Sequence, residues 1–190
     1  MKTHYKFFRC CILMVPALLL GACSQNLTYQ EAMNKNERKI TDVEKLRDAR
    51  FLVDAKSFNM LEMKLAETAL TSGYASAVVD LARKNLRDHE DMQEDLSALA
   101  RREKIVLPNM LSEKHQIYLL EVTQSNRTDF DSNYINTLQR INEENKEQYM
   151  SMATDAKDAD VRAFAARKLD MLRDHGTRME EVKSKLMNTY

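Results

Sequence analysis

The chain has 190 residues, 31% of them charged, with three glycines, two prolines and no tryptophan. So few helix breakers point to an all-helical protein, and the length is ample for one domain with a real core. Basic and acidic residues balance at 29 each. The first 22 residues hold Lys2, Lys6 and Arg9 and no acid, so the remainder carries a small acidic excess with both signs interspersed. That pattern gives no case for nucleic-acid binding and reads as a solvated surface.

Met1 to Arg9 is a short basic region, and Cys10 to Leu20 is an apolar run. The run is too short for a spanning helix of about 20 residues and reads as a secretory signal, residues 1–22. It ends in Leu20-Gly21-Ala22-Cys23, which resembles a bacterial lipobox. The resemblance implies cleavage before Cys23, a diacylglycerol on its sulfur and an acylated amino terminus. Several acyl chains anchor a protein firmly, each buried methylene adding about 0.8 kcal/mol. Cys10 and Cys11 lie in the part removed, so Cys23 alone remains and neither disulfides nor cysteine metal sites are expected. Ser24 follows the cysteine, which resembles the Gram-negative default for the outer membrane. The expected location is the cell envelope, lipid-anchored and facing the periplasm. The membrane is the first partner, an envelope protein the candidate second.

Ser24 to Ile40 is polar and lacks a sustained apolar stripe, so residues 23–40 read as the lipidated cysteine and a flexible tether. Residues 41–190 read as the bundle domain. Thr41-Asp-Val-Glu44 has the capping-box pattern and starts the first bundle helix. Phe51, Ala55, Phe58, Glu62, Leu65 and Ala69 share one stripe along it, which points Glu62 toward the core. Gly73 is a natural C-cap. The second helix runs from near Ala75 to near Glu103, before Pro108, with Val78, Ala82, Asn85, His89, Met92, Leu96 and Leu99 on one face. Residues 105–127 form a connection with a shorter amphipathic helix carrying Ile117, Leu119 and Leu120. His115 in this connection reads as a surface residue. Thr128-Asp-Phe-Asp131 resembles a capping box for the third helix, striped by Tyr134, Leu138, Ile141, Asn145, Tyr149 and Met152. Asp158 is a good N-cap for the fourth, whose stripe includes Val161, Ala165, Leu172, His175, Met179 and Val182. Two helical hairpins joined by a longer connection make a four-helix bundle. Leu-Arg-Asp-His occurs at residues 86–89 and again at 172–175, which hints at a duplicated hairpin.

These residues resemble the bacterial domain of unknown function 4142 family, predicted outer-membrane proteins with a ferritin-like domain. The matching words are Phe51 with Ala55, Leu61-Glu62-x-x-Leu65-Ala66, Asp88-His89 and Leu96-x-x-Leu99-Ala100. After them come Leu107-Pro108, Phe130-Asp131-x-x-Tyr134 and Val161-x-x-Phe164-Ala165 with His175. The resemblance implies a ferritin-like four-helix bundle and no established activity. Where the family usually has a histidine in the third helix, this chain has Asn142.

Glu62, His89, Asn142 and His175 all fall near mid-bundle, because each lies about ten to twenty residues from its hairpin turn at about 1.5 Å per residue. Glu62, His89 and His175 are therefore candidate ligands for Fe, Zn or Mn, with Asp131, Asn142, Glu143 or Glu144 as additional ones. The competing reading is a buried polar network that fixes helix register. The Glu-x-x-His pair of di-iron bundles is absent, since Leu86 and Leu172 occupy the positions before the two histidines. There is no glycine-rich phosphate loop, and Cys23 is not a free nucleophile. Met92, Met152, Met171 and Met179 sit at helical spacing among apolar residues and read as core filling, while Tyr134 and Tyr149 read as core aromatics with a hydroxyl at the edge. The balance favours a non-enzymatic envelope binding or structural protein. The alternative is a ferritin-like protein that stores, carries or senses a metal.

Overall fold

A computed structural model describes residues 26–188. The signal peptide and Cys23 lie outside the described residues. The order is α1 (Tyr29–Lys39), α2 (Val43–Ser72), α3 (Ser76–Arg102), α4 (Glu113–Thr123), α5 (Phe130–Asp155) and α6 (Ala159–Met187). No helix among the described residues is long and apolar enough to cross a membrane.

The four long helices α2, α3, α5 and α6 form the bundle. The α2/α3 and α5/α6 hairpins pack most heavily, and α3 on α6 and α2 on α5 join them. Asp131, at the start of α5, reaches the α2–α3 turn, and Asp48, near the start of α2, reaches the α5–α6 turn. So α2 and α5 run antiparallel, and the α3–α5 connection crosses the full length of the bundle. One long crossover is the connectivity of ferritin-like bundles. On the way α4 packs against α2 and α5.

Helix ends follow local chemistry. Asp42, one residue past the expected Thr41, caps α2 by accepting from the Lys45 amide at 2.9 Å. Asp158 caps α6 as expected, accepting from Asp160 and Val161. The expected capping box of α5 does not form. Its N-cap is Asp129 with no side-chain cap bond, because the Asp131 carboxylate turns instead to the Tyr74 and Ala75 amides, at 3.0 and 2.7 Å. That compensates α3, whose own N-cap, Ala75, has no side chain to offer. At its far end α3 closes in a Schellman motif, with Ile105 N–H on the Ala100 carbonyl and Lys104 N–H on that of Arg101. Lys104 takes the left-handed position, φ 57°. Gly73 ends α2 at φ −64°, so positive φ is not what requires it. A Cβ there would lie 2.6 Å from the Ala69 carbonyl oxygen.

Two expectations are corrected. Residues 29–39 are not an open tether. They form α1, closed by a Thr28/Glu31 capping box, with Ala32 and Asn36 buried. Asn36 exchanges two hydrogen bonds with the Val106 backbone, 2.8 and 2.9 Å, so a polar segment is docked by amide pairing instead of by an apolar stripe. The connecting helix α4 exists, but Ile117 and Leu120 point outward, 56% and 50% exposed, and its buried residue is Val122.

Below mid-height the core is aromatic. Phe51 meets Tyr149 edge-on at 4.9 Å and Phe164 at 6.3 Å. Met92, Met152 and Met179 are buried as core filling. Because α1, α3, α4 and α5 all pack on α2, that helix buries residues on nearly every face, including Asp48, Ser57, Asn59 and Glu62.

Candidate functional site

The polar centre of the bundle lies where α2 faces α3. Glu62 comes from α2 and Asn85 and His89 from α3, and all three are buried. Asn85 and His89 stand one helical turn apart on the core face of α3.

The tautomer of His89 follows from its neighbour. Asn59 Nδ2 donates to the His89 carbonyl oxygen at 2.9 Å and to Gln93 Oε1 at 3.0 Å. That leaves Asn59 Oδ1 as the acceptor for His89 Nδ1, at 2.8 Å. Nδ1 therefore carries the ring proton and Nε2 presents a lone pair. This lone pair lies 4.0 Å from Glu62 Oε2. His89 Nε2, Glu62 Oε2 and Asn85 Oδ1 have no hydrogen-bond partner in the protein.

Burial sets the protonation here. It pushes the Glu62 carboxyl up to about 8 and holds His89 well below its ordinary value, helped by the nearby His175. At neutral pH the pair is an uncharged acid facing an uncharged imidazole. Phe58 closes one side of the imidazole edge-on at 5.5 Å.

The structure separates His175 from this pair. Its ring stacks obliquely on that of His89, centroids 5.3 Å apart, but its Nε2 bonds Asp88 Oδ2 at 2.9 Å. Burial lowers the pKa of His175, against the pull of Asp88. Burial would raise Asp88, but hydrogen bonds from Lys84 and His175 outweigh it and hold it low. Thus one Leu-Arg-Asp-His word supplies the aspartate that holds the other's histidine, while Asp174, its counterpart, pairs with Arg178 on the surface.

The other candidates lie elsewhere. Asp131 is at the bundle end, on the α2–α3 turn. Asn142 is buried in α5 with its amide against Gly176 of α6. Glu143 faces solvent and pairs with Lys146, and Glu144 bridges Lys114 and Tyr118. Among the described residues, the three-carboxylate or histidine groups close enough to share an ion reduce to the surface set Glu103, Asp158 and Asp160. Tyr134 and Tyr149 are buried through to their hydroxyls, which have no partner, not edge-placed as expected.

His115, expected at the surface, is half-buried. Its Nδ1 lies 2.7 Å from Ser57 Oγ, which also accepts from the Ser112 amide at 2.8 Å. Burial, then Lys114, brings its pKa down to about 4. His115, Ser112 and Lys114 line a cleft of about 780 Å³ between α1, α2, α4 and α5, with Tyr29, Asp54, Glu144 and Gln148. Asp54 accepts from the Tyr29 hydroxyl and, at 3.2 Å, from Gln148. No pattern along the chain marks the cleft, because α1 and α4 reach it only through tertiary docking. Asn59 was legible in principle, one turn before Glu62 in sequence with no apolar role.

No curated protein and no solved structure matches the chain. A family model, Domain of unknown function (DUF4142), matches residues 31–182, which spans α1 through α6. With its helical bundle and a match over most of its length, the chain belongs to the DUF4142 family.

Proposed function

We propose that the protein is a lipid-anchored helical-bundle protein of the Gram-negative envelope, held at the outer membrane facing the periplasm, with a binding or structural role and no enzymatic one. The observation that supports this is where the buried polar groups go. Asp48, Asp131, Asn36, Ser57 and Asn59 each join one chain segment to another. Such groups rigidify a scaffold and fix its register. If Cys23 is acylated, only five residues separate it from Tyr29 of α1, at most roughly 20 Å of extended chain. The bundle then sits close to the membrane, with the cleft beside α1 toward it. An envelope protein or segment meeting that cleft is the partner this arrangement suits.

The test is made in a Gram-negative host. Cys23→Ser should lose acyl labelling and move the protein from the membrane fraction to the soluble periplasm. A photo-crosslinker at Gln30 or Gln116, on the cleft, should trap an envelope protein that one at Arg173 does not. A wild-type chain that never fractionates with membranes would overturn the anchored reading, and identical adducts from both faces would overturn the binding role of the cleft.

A second reading has one specific observation in its favour. The Glu62 oxygen and the His89 lone pair face each other without partners. This favours a ferritin-like metal-binding protein that stores, carries or senses Fe, Zn or Mn.

A further inference from the structure

We propose that Glu62, Asn85 and His89 form a buried site for a single divalent transition cation, with Asn59 as the residue that orients the imidazole and His175 outside the coordination. This rests on the metal-binding reading and replaces its ligand set.

Three observations carry it. First, Glu62 Oε2, Asn85 Oδ1 and His89 Nε2 are buried without partners. His89 Nε2 is bare because the ring proton sits on Nδ1 and is donated to Asn59, Asn85 Oδ1 only accepts, and Glu62 offers a lone pair once a bound cation displaces its proton. Orphaned buried polar atoms are costly, so this cluster calls for an occupant that accepts electron pairs or donates protons. A cation does the first. Second, the 4.0 Å between Glu62 Oε2 and His89 Nε2 is too long for a hydrogen bond. It suits one ion at about 2.0–2.2 Å from each atom, at a wide angle that a small side-chain rotation closes. Third, Asn59 fills the place of the outer partner that holds a ligating histidine by its other nitrogen and sets its tautomer. Its own amide is fixed by two acceptors, so its orientation does not depend on an ion being bound.

His175 lies outside because its ligand nitrogens do not come within ion-sharing distance of both Glu62 and His89; its Nε2 is held instead by Asp88, which Lys84 also holds. Imidazole nitrogen, carboxylate and amide oxygen together suit Zn²⁺, Mn²⁺ or Fe²⁺ over calcium or magnesium. The competing occupant is water, which donates two protons to two of the three acceptors.

The test uses the full chain, stripped with chelator and titrated with Zn²⁺, and separately with Mn²⁺. Calorimetry should give one ion per chain. Asn59→Ala should weaken it about 10- to 100-fold, and His175→Gln should change it by less than about 3-fold. The surface carboxylates Glu103, Asp158 and Asp160 are removed from consideration by repeating the titration in Asp160→Asn, which should leave the affinity unchanged. Because core variants can misfold, a second readout needs none. In the ¹⁵N-imidazole spectrum of the wild type, Zn²⁺ should shift His89 Nε2 and leave His175 in place. Binding that shifts His115 or His175 but not His89, or that vanishes in Asp160→Asn, overturns this site while leaving the chain a metal binder. No binding of either ion overturns both readings, and leaves water as the occupant.

Discussion

The carboxylate of Asp131 replaces a cap that α3 lacks, and removing it should show how much of the bundle depends on that contact. In Asp131→Ala the Tyr74 and Ala75 amides lose bonds of 3.0 and 2.7 Å. A hydrogen bond to a charged group contributes about 1.5–3 kcal/mol, and water at this half-buried turn recovers part of it, so the loss should be about 2–4 kcal/mol. For a chain of this size that lowers Tm by roughly 5–15 °C. Asp131→Asn keeps one acceptor oxygen and should lose about half as much. The matching change at the other end, Asp48→Ala, frees the Lys157 and Asp158 amides. Because the two sites share no contact, their losses should add to within about 0.5 kcal/mol. Urea denaturation followed by far-ultraviolet circular dichroism measures all four variants. A loss below about 1 kcal/mol in Asp131→Ala, with an unchanged m-value, would refute the idea that a neighbouring hairpin caps α3.

Other expectations follow from single features. Glu62 has a folded pKa of about 8, raised by burial above its value of 4.5 in the open chain. The folded state thus holds a proton that the unfolded state releases, so stability falls as pH rises through that window. His89, His175 and His115 are depressed and work the other way only below about 6.5. Between pH 6.5 and 8 the wild type should therefore lose stability as pH rises, and Glu62→Gln should remove that slope in pH-resolved denaturation. Lys104→Gly relieves the left-handed residue of the Schellman motif and should add about 0.5–1 kcal/mol in thermal melts. Gly73→Ala should lower the melting temperature, since its Cβ would meet a backbone oxygen at 2.6 Å, whereas Gly176→Ala meets only a movable amide at 3.3 Å and gains helix propensity. Asn36→Ala should release α1 from the Val106 backbone, seen as faster amide exchange in residues 29–39 with α2 to α6 unchanged.

The four bundle helices were legible because their apolar residues repeat at the period of a helix, and that period does not depend on what the helix packs against. Asp158 and Ala75 were correctly placed at helix starts for the same local reason. Amide pairing leaves no such trace. Asn36 looks like any polar residue until Val106, 70 positions away, is brought beside it, so α1 read as a tether. Asp131 looked like half of a capping box for its own helix and instead serves another, because the long crossover sets α5 beside the α2–α3 turn. The heights of Glu62, His89 and His175 were fixed by residue counts along straight helices, and all three do lie in the core. What counting along a helix does not give is rotation about its axis and the choice of partner. Those came from Asp88, which drew His175 away, and from Asn59, which turned the bare nitrogen of His89 toward Glu62. Composition and periodicity alone determined a helical bundle with a polar centre. Which lone pairs meet there was decided only when two hairpins packed, since a hydrogen bond depends on tenths of an ångström and on direction, and neither is written in spacing along the chain.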